Sequence, residues 1–98
     1  MIIKTHTHSD GRILVSVVDS DIIGKKFEEG QAQLDLTVDF YKGKKCTADE
    51  AGDLVRNADM VNLVGEHAVA LGVQEQVIDP QNVKRIKGIP FASGVNAH

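Results

Sequence analysis

The sequence predicts a single α+β domain: a mixed sheet of four or five strands with two main helices packed on one face. Three observations predict it. Two alternating segments flank the turn residues Ser9-Asp10-Gly11. A capping box at Thr47-Ala48-Asp49-Glu50 opens an apolar pattern at helical spacing. A short apolar run, Met60–Val64, separates that pattern from a second one.

Residues 2–8 and 12–18 read as strands joined in a hairpin. Two registers compete. A two-residue loop sets His8 opposite Ile13; a three-residue loop with Gly11 left-handed sets Thr7 opposite Ile13 and Thr5 opposite Val15. The second sorts polarity better. It gathers Ile3, Thr5, Thr7, Ile13, Val15 and Val17 on one face, and Lys4, His6, His8, Arg12 and Ser16 on the other, where Leu14 and Val18 are left over. Asp19-Ser20-Asp21 caps a short turn stopped by Gly24, and Gln31–Val38 alternates as a half-buried strand.

From Thr47, the apolar residues Ala51, Leu54, Val55 and Ala58 give a helix over about 48–58. Met60–Val64 then reads as a buried strand, with Gly65 opening a second helix to about Ile78. The rival is one continuous helix over 54–77, in which Gly65 would cost about 1 kcal/mol relative to alanine. Asp79-Pro80 is a further cap, Val83–Lys87 a last strand with basic residues suited to an edge, and 92–98 a mobile tail beyond a domain of 1–91. The expected core is Ile3, Val15, Val17, Leu34, Leu36, Leu54, Val55, Val64, Ala68, Leu71 and Ile86.

Bulk properties exclude several functions. With 98 residues, 42% hydrophobic and 26% charged, the chain suits one folded domain and one modest core. A net charge of −3 and a pI of about 5.7 are unlike a dedicated nucleic-acid binder, so such a role needs a local patch. Cys46 is the only cysteine, which excludes an internal disulfide and suits a reducing, cytoplasmic compartment. Neither a signal peptide nor a membrane-spanning run is expected.

No complete catalytic set is visible, and no cofactor motif. Four constellations remain. His6 and His8 share one strand face and so offer two metal ligands, in the manner of the His-x-His entry of barrel hydrolases; the further ligands such enzymes need are missing, and outward polar residues are the simpler account. Cys46, beside Lys44 and Lys45 and ahead of a helix start, is placed for a lowered thiol pKa or, more simply, for a small hydrophobic staple. Asn62, Gly65, Glu66 and His67 form a strand-to-helix turn whose free amides could hold an anion, although Glu66 opposes one. Lys42, Lys44, Lys45, Lys84, Arg85 and Lys87 make a basic patch if the loop and the last strand lie together.

Several stretches taken in order resemble an archaeal family known as domain of unknown function 424. They are Ile23-Gly24-Lys25-Lys26-Phe27 with Glu29-Gly30, Phe40-Tyr41-Lys42-Gly43, Asn62-Leu63-Val64-Gly65-Glu66 with Ala68-Val69, Ile78-Asp79-Pro80-Gln81-Asn82-Val83, and Ile86-Lys87-Gly88-Ile89-Pro90. The motif positions fall on Gly24, Lys25, Tyr41, Gly43, Asn62, Gly65 and Glu66. The resemblance implies an archaeal cytoplasmic source and carries over no catalytic residue. The leading expectation is a small non-enzymatic binding module, an accessory of RNA or ribonucleoprotein machinery with an RNA or protein partner and no membrane. The alternatives are a ligand-binding protein or enzyme using the Asn62–His67 turn, and a metal-binding protein using His6 and His8. Homo-oligomerisation is left open.

Overall fold

The computed structural model describes residues 1–96. In chain order its elements are β1 (Ile2–Thr7), β2 (Ile13–Val18), β3 (Lys26–Glu29), β4 (Ala32–Asp35), a 3-10 turn over Asp39–Tyr41, β5 (Lys44–Lys45), α1 (Ala48–Asn57), β6 (Met60–Val64), α2 (Glu66–Gln74), a second 3-10 turn over Pro80–Asn82, β7 (Lys84–Ile86) and β8 (Ile89–Val95). Six strands form a mixed sheet in the order β5-β1-β2-β6-β8-β7, and β3 and β4 form a separate two-stranded sheet. The architecture is α+β, as the residue patterns predict. No helix of the described residues is long and apolar enough to cross a membrane.

The β1–β2 hairpin takes the three-residue loop. Thr7 pairs with Ile13 and Thr5 with Val15. His8 N–H donates to Arg12 O at 2.8 Å, and Gly11 sits at φ +89°, where a left-handed residue closes the bulge. The pairing turns Ile3, Val15 and Val17 to the helices, where they join Ala51, Val55, Val61, Leu63 and Ala68 in one apolar cluster. The opposite face is not bare. Val18 and Val64 pack there against Ile22, Leu34, Leu36 and Ile86, and the small β3–β4 sheet covers that end. This second cluster accounts for Val18, which looks misplaced when only one buried face is assumed.

Helix α1 begins with both hydrogen bonds of the capping box, Glu50 N–H to Thr47 Oγ1 and Thr47 N–H to Glu50 Oε1, each 3.2 Å. The continuous-helix alternative fails: Met60–Val64 pairs in parallel with β2 and antiparallel with β8. Four further expectations are corrected. The sheet has six strands rather than four or five, because Lys44–Lys45 pairs with β1 and Ile89–Val95 returns beside β6. The tail expected over 92–98 is strand as far as Val95, with Ala92 buried and Asn96 N–H donating to Asp59 O; residues 97 and 98 lie outside the described residues. The strand expected over 31–38 stops at Asp35, whose carboxylate accepts from Thr37 N–H at 2.9 Å and from its hydroxyl, turning the chain. Leu54 is 39% exposed, because the buried side of α1 runs through Ala51, Val55 and Ala58 and leaves Leu54 at its margin.

Truncation separates these positions. Leu63→Ala, at a site with 0% exposure, should lower stability by about 2–5 kcal/mol. Leu54→Ala should move it by less than about 1 kcal/mol. Urea unfolding midpoints measure both; equal losses would contradict the exposure of Leu54.

Candidate functional site

The strand-to-helix turn carries the free amides that make a helix start attractive to anions. The chain satisfies them itself. Asp19, 5% exposed and immediately after β2, accepts from His67 N–H at 2.9 Å and from Ala68 N–H at 2.8 Å. Both carboxylate oxygens are therefore engaged at the positive end of α2. Gly65 holds φ +108° and accepts no replacement easily: a Cβ there would stand 2.6 Å from Asp19 Oδ2. Glu66 pairs with Arg85 at 2.9 Å, and the His67 ring is 83% exposed with Nδ1 3.4 Å from Asp19. The turn is thus an internal cap, in which Asp19 already takes the His67 and Ala68 amides that an anion would need.

Asn62 is not part of that arrangement. On β6, Val61 and Leu63 point to the helices while Asn62 points to the opposite face, so the expected set of Asn62, Gly65, Glu66 and His67 does not converge. Asn62 belongs instead to a row that crosses four strands. Lys4 pairs with Ser16, Ser16 with Asn62, and Asn62 with Ser93. Side chains in register share a face, so the row is polar from end to end. Ser93 Oγ donates to Asn62 Oδ1 at 3.3 Å, and Asn62 Nδ2 lies 3.5 Å from the Tyr41 hydroxyl. Ser16 is 1% exposed and its hydroxyl has no hydrogen-bond partner among the described residues.

The 3-10 turn over Asp39–Tyr41 lies against this face. Lys4 Nζ donates to Asp39 O, and His6 Nε2 lies 3.1 Å from Phe40 O. The His6 and Phe40 rings stack with centroids 4.3 Å apart. Beside the turn a cavity of about 540 Å³ is lined by Leu14, Phe40, Met60, Asn62, Asn82 and Ser93 among others. A second, of about 390 Å³, is lined by Gln81, Asn82, Lys84, Phe91, Ala92 and Ser93. Asn82 and Ser93 line both, so the two adjoin as one groove; Phe40 lines the first part and Phe91, packed against the second apolar cluster, lines the other. No carboxylate lines either cavity. Sequence reasoning found Asn62 but missed Phe40, Asn82, Phe91 and Ser93: Ser93 fell in the stretch over 92–98 read as tail, and no spacing along the sequence brings the other three together.

The remaining candidates are placed as follows. The basic set divides: Lys44 and Lys45 lie on β5 and Lys84 and Arg85 on β7, the two opposite edges of the six-stranded sheet. Lys42 pairs with Asp39 at 3.2 Å, and the Lys87 amide donates to Glu29. A single patch of Lys42, Lys44, Lys45, Lys84, Arg85 and Lys87 does not form, because the sheet order separates its halves. His6 is occupied with Phe40, and no group of three or more His, Cys, Asp or Glu suited to a metal occurs among the described residues. Cys46 packs against the helix-side cluster, and burial raises its thiol pKa above the ordinary value. The terminal ammonium opposes the rise and Glu50 adds to it. This reverses the lowered pKa that the neighbouring lysines suggest.

A family model described as "Protein of unknown function (DUF424)" matches residues 6–96. A solved structure, described as an uncharacterized conserved protein from Methanopyrus kandleri, superposes with a TM-score of 0.81 at 21% identity, covering 94% of this chain and 87% of that one. The likeness is one of fold. No curated protein matches the sequence.

Three outcomes follow from this geometry. Asp19→Ala should cost about 1–2 kcal/mol through the lost cap, and Gly65→Ala about 1–3 kcal/mol through backbone strain. Thermal melts read both, and a raised midpoint for Gly65→Ala would contradict the packed turn. Alkylation of Cys46 by iodoacetamide should rise with pH around a midpoint above that of a free cysteine; a midpoint below it would show that the lysines outweigh burial.

Proposed function

Because the chain belongs to the DUF424 family of proteins of unknown function, no activity comes with that membership, and we propose from the groove itself that the protein is a non-enzymatic module binding single-stranded RNA. The observation that carries the reading is the groove between Phe40 and Phe91, with Asn62, Asn82 and Ser93 along it and no carboxylate in its walls. Unpaired bases are held in proteins by stacking on aromatic rings and by hydrogen bonds to their edges. An asparagine amide presents a donor and an acceptor together, which matches the edge of a base. Carboxylates in the walls would repel the phosphates, and the chain, though acidic overall, keeps them out.

The charge supply is small. Lys84 is the lysine that lines the groove. Stacking and edge contacts therefore carry most of the affinity, and binding loses little with salt. The same reading sets the protein in an archaeal cytoplasm, a reducing compartment that suits one unpaired cysteine.

Fluorescence anisotropy with a labelled single-stranded RNA octamer tests it. Phe40→Ala should weaken binding about tenfold, since one stacked base contributes about 1–3 kcal/mol. The slope of log K against log salt should lie near −0.7, the value for about one phosphate neutralised on a single strand. Lys44→Glu, on the far edge, should leave affinity unchanged. Absence of binding at low salt, or identical affinity in Phe40→Ala, would sink the proposal.

A further inference from the structure

A larger cavity lies elsewhere, on the helix side of the sheet at its β1 edge. It holds about 670 Å³ and runs between α1 and the β1–β5 edge. Its apolar wall includes Ile3, Cys46 and Leu54, and its rim carries Lys42, Lys44 and Lys45.

The edge beside this cavity is unpaired for part of its length. β5 has two residues and pairs only with Ile2 and Ile3. Hydrogen-bonding direction alternates along a strand. His8 N–H points to β2, where it meets Arg12 O, while Met1 O points to the other side and accepts from Cys46 N–H at 2.9 Å. Even-numbered residues of β1 therefore bond to β2, and Thr5 and Thr7 direct their N–H and C=O groups outward. Both are exposed, and no strand pairs with them on that side. Helix α1 covers Ile3 but does not extend over these threonines.

Charge and surface chemistry identify the occupant. Neither Lys44 nor Lys45 takes part in an ion pair among the described residues. One carboxylate, Glu50, lines the groove, against four lysines, Lys4, Lys42, Lys44 and Lys45. The rim is thus cationic, whereas the whole chain carries −3. Leu54, 39% exposed, offers an aliphatic seat, and no aromatic ring lines the cavity on which a base could stack. An open main-chain edge pairs with protein backbone rather than with nucleic acid.

We propose that the groove between the open edge of β1 and helix α1 docks an extended acidic peptide segment of a partner protein, which adds as a strand beside Thr5 and Thr7, directs a carboxylate to Lys44, in register with Ile3 on the helix side, and seats an aliphatic side chain on Leu54. The site is independent of the RNA groove, which lies on the other face of the sheet. The protein accordingly has two separate binding surfaces with partners of different class.

A blocked peptide of repeating glutamate-serine-leucine-serine, which carries glutamate and leucine on the same face of a strand, tests the proposal, with its lysine-serine-leucine-serine counterpart as control. The acidic peptide should bind in anisotropy at low salt, and the basic one at least tenfold more weakly. The single variants Lys44→Glu and Leu54→Ala should each weaken binding about tenfold or more, while Lys84→Glu on the opposite edge leaves peptide binding unchanged. Leu54 is exposed, so its truncation leaves the fold intact. Amide hydrogen exchange gives the decisive reading: Thr5 and Thr7 should exchange fast in the free protein and slow down when the peptide is added. Equal binding of the two peptides, indifference to the lysine reversal, or unchanged exchange at Thr5 and Thr7 would each overturn it. So would displacement of the acidic peptide by a single-stranded RNA, which would place RNA in this groove instead.

Discussion

The structure depends on one strand pair, the parallel contact between β2 and β6 at the centre of the sheet. Val15, Val17 and Val18 on one strand and Val61, Leu63 and Val64 on the other are all nearly excluded from solvent. Parallel strands are stable where both faces are covered, and the rest of the chain can be read as the means of covering them. The segment between the two strands has to travel from one end of the sheet to the other. It uses that length to build the β3–β4 hairpin on one face and α1 on the other. The antiparallel strands β1 and β8 then close the two sides of the pair.

The covering is unequal, and the inequality is what leaves room for function. The helices seal the middle of their face, where Val15, Val61 and Leu63 have no solvent contact to speak of. On the other face the hairpin seals only the end that carries Val18 and Val64. The next row along that face is Lys4, Ser16, Asn62 and Ser93, and it is crossed only by a 3-10 turn. An apolar row there would have extended the second core. The polar row instead ties the turn down through Lys4 and Asn62, with a groove left beside it.

The local elements were legible because their signals are local. The hairpin register followed from polarity sorting, the start of α1 from Thr47 and Glu50, and the end of β6 from Gly65. What escaped needed distant partners. Leu54 obeys helical spacing as well as Val55 does, but spacing cannot say which margin of a helix meets the sheet. Strand β8 contains Pro90, Ser93 and Gly94, poor strand formers on their own, and it persists because β6 lies alongside to pair with it. Asp19 looked like the cap of the turn that follows it, and its side chain serves a helix in another part of the chain. The lysines formed one patch only while the order of strands was unknown. The candidate groove was invisible for the same reason: its walls come from the 3-10 turn at Asp39–Tyr41, from β6, from β8 and from the Pro80–Asn82 turn, and no spacing along the sequence connects them.

The cap on α2 also orders events in time. The helix has nine residues, too few to persist alone in water. The carboxylate that engages its first amides is 48 residues earlier in the chain, at the end of β2. It reaches them only once β6 has aligned with β2 and brought Val64 beside Val18. Closing that loop is entropically costly and comes before its reward. Helix α2 is therefore a late structure, gained when the parallel pair forms rather than before it. The β1–β2 hairpin and α1, whose defining contacts are between near neighbours in sequence, can appear early. A chain still leaving the ribosome holds its Asp19 carboxylate in water, with the helix it will cap not yet made.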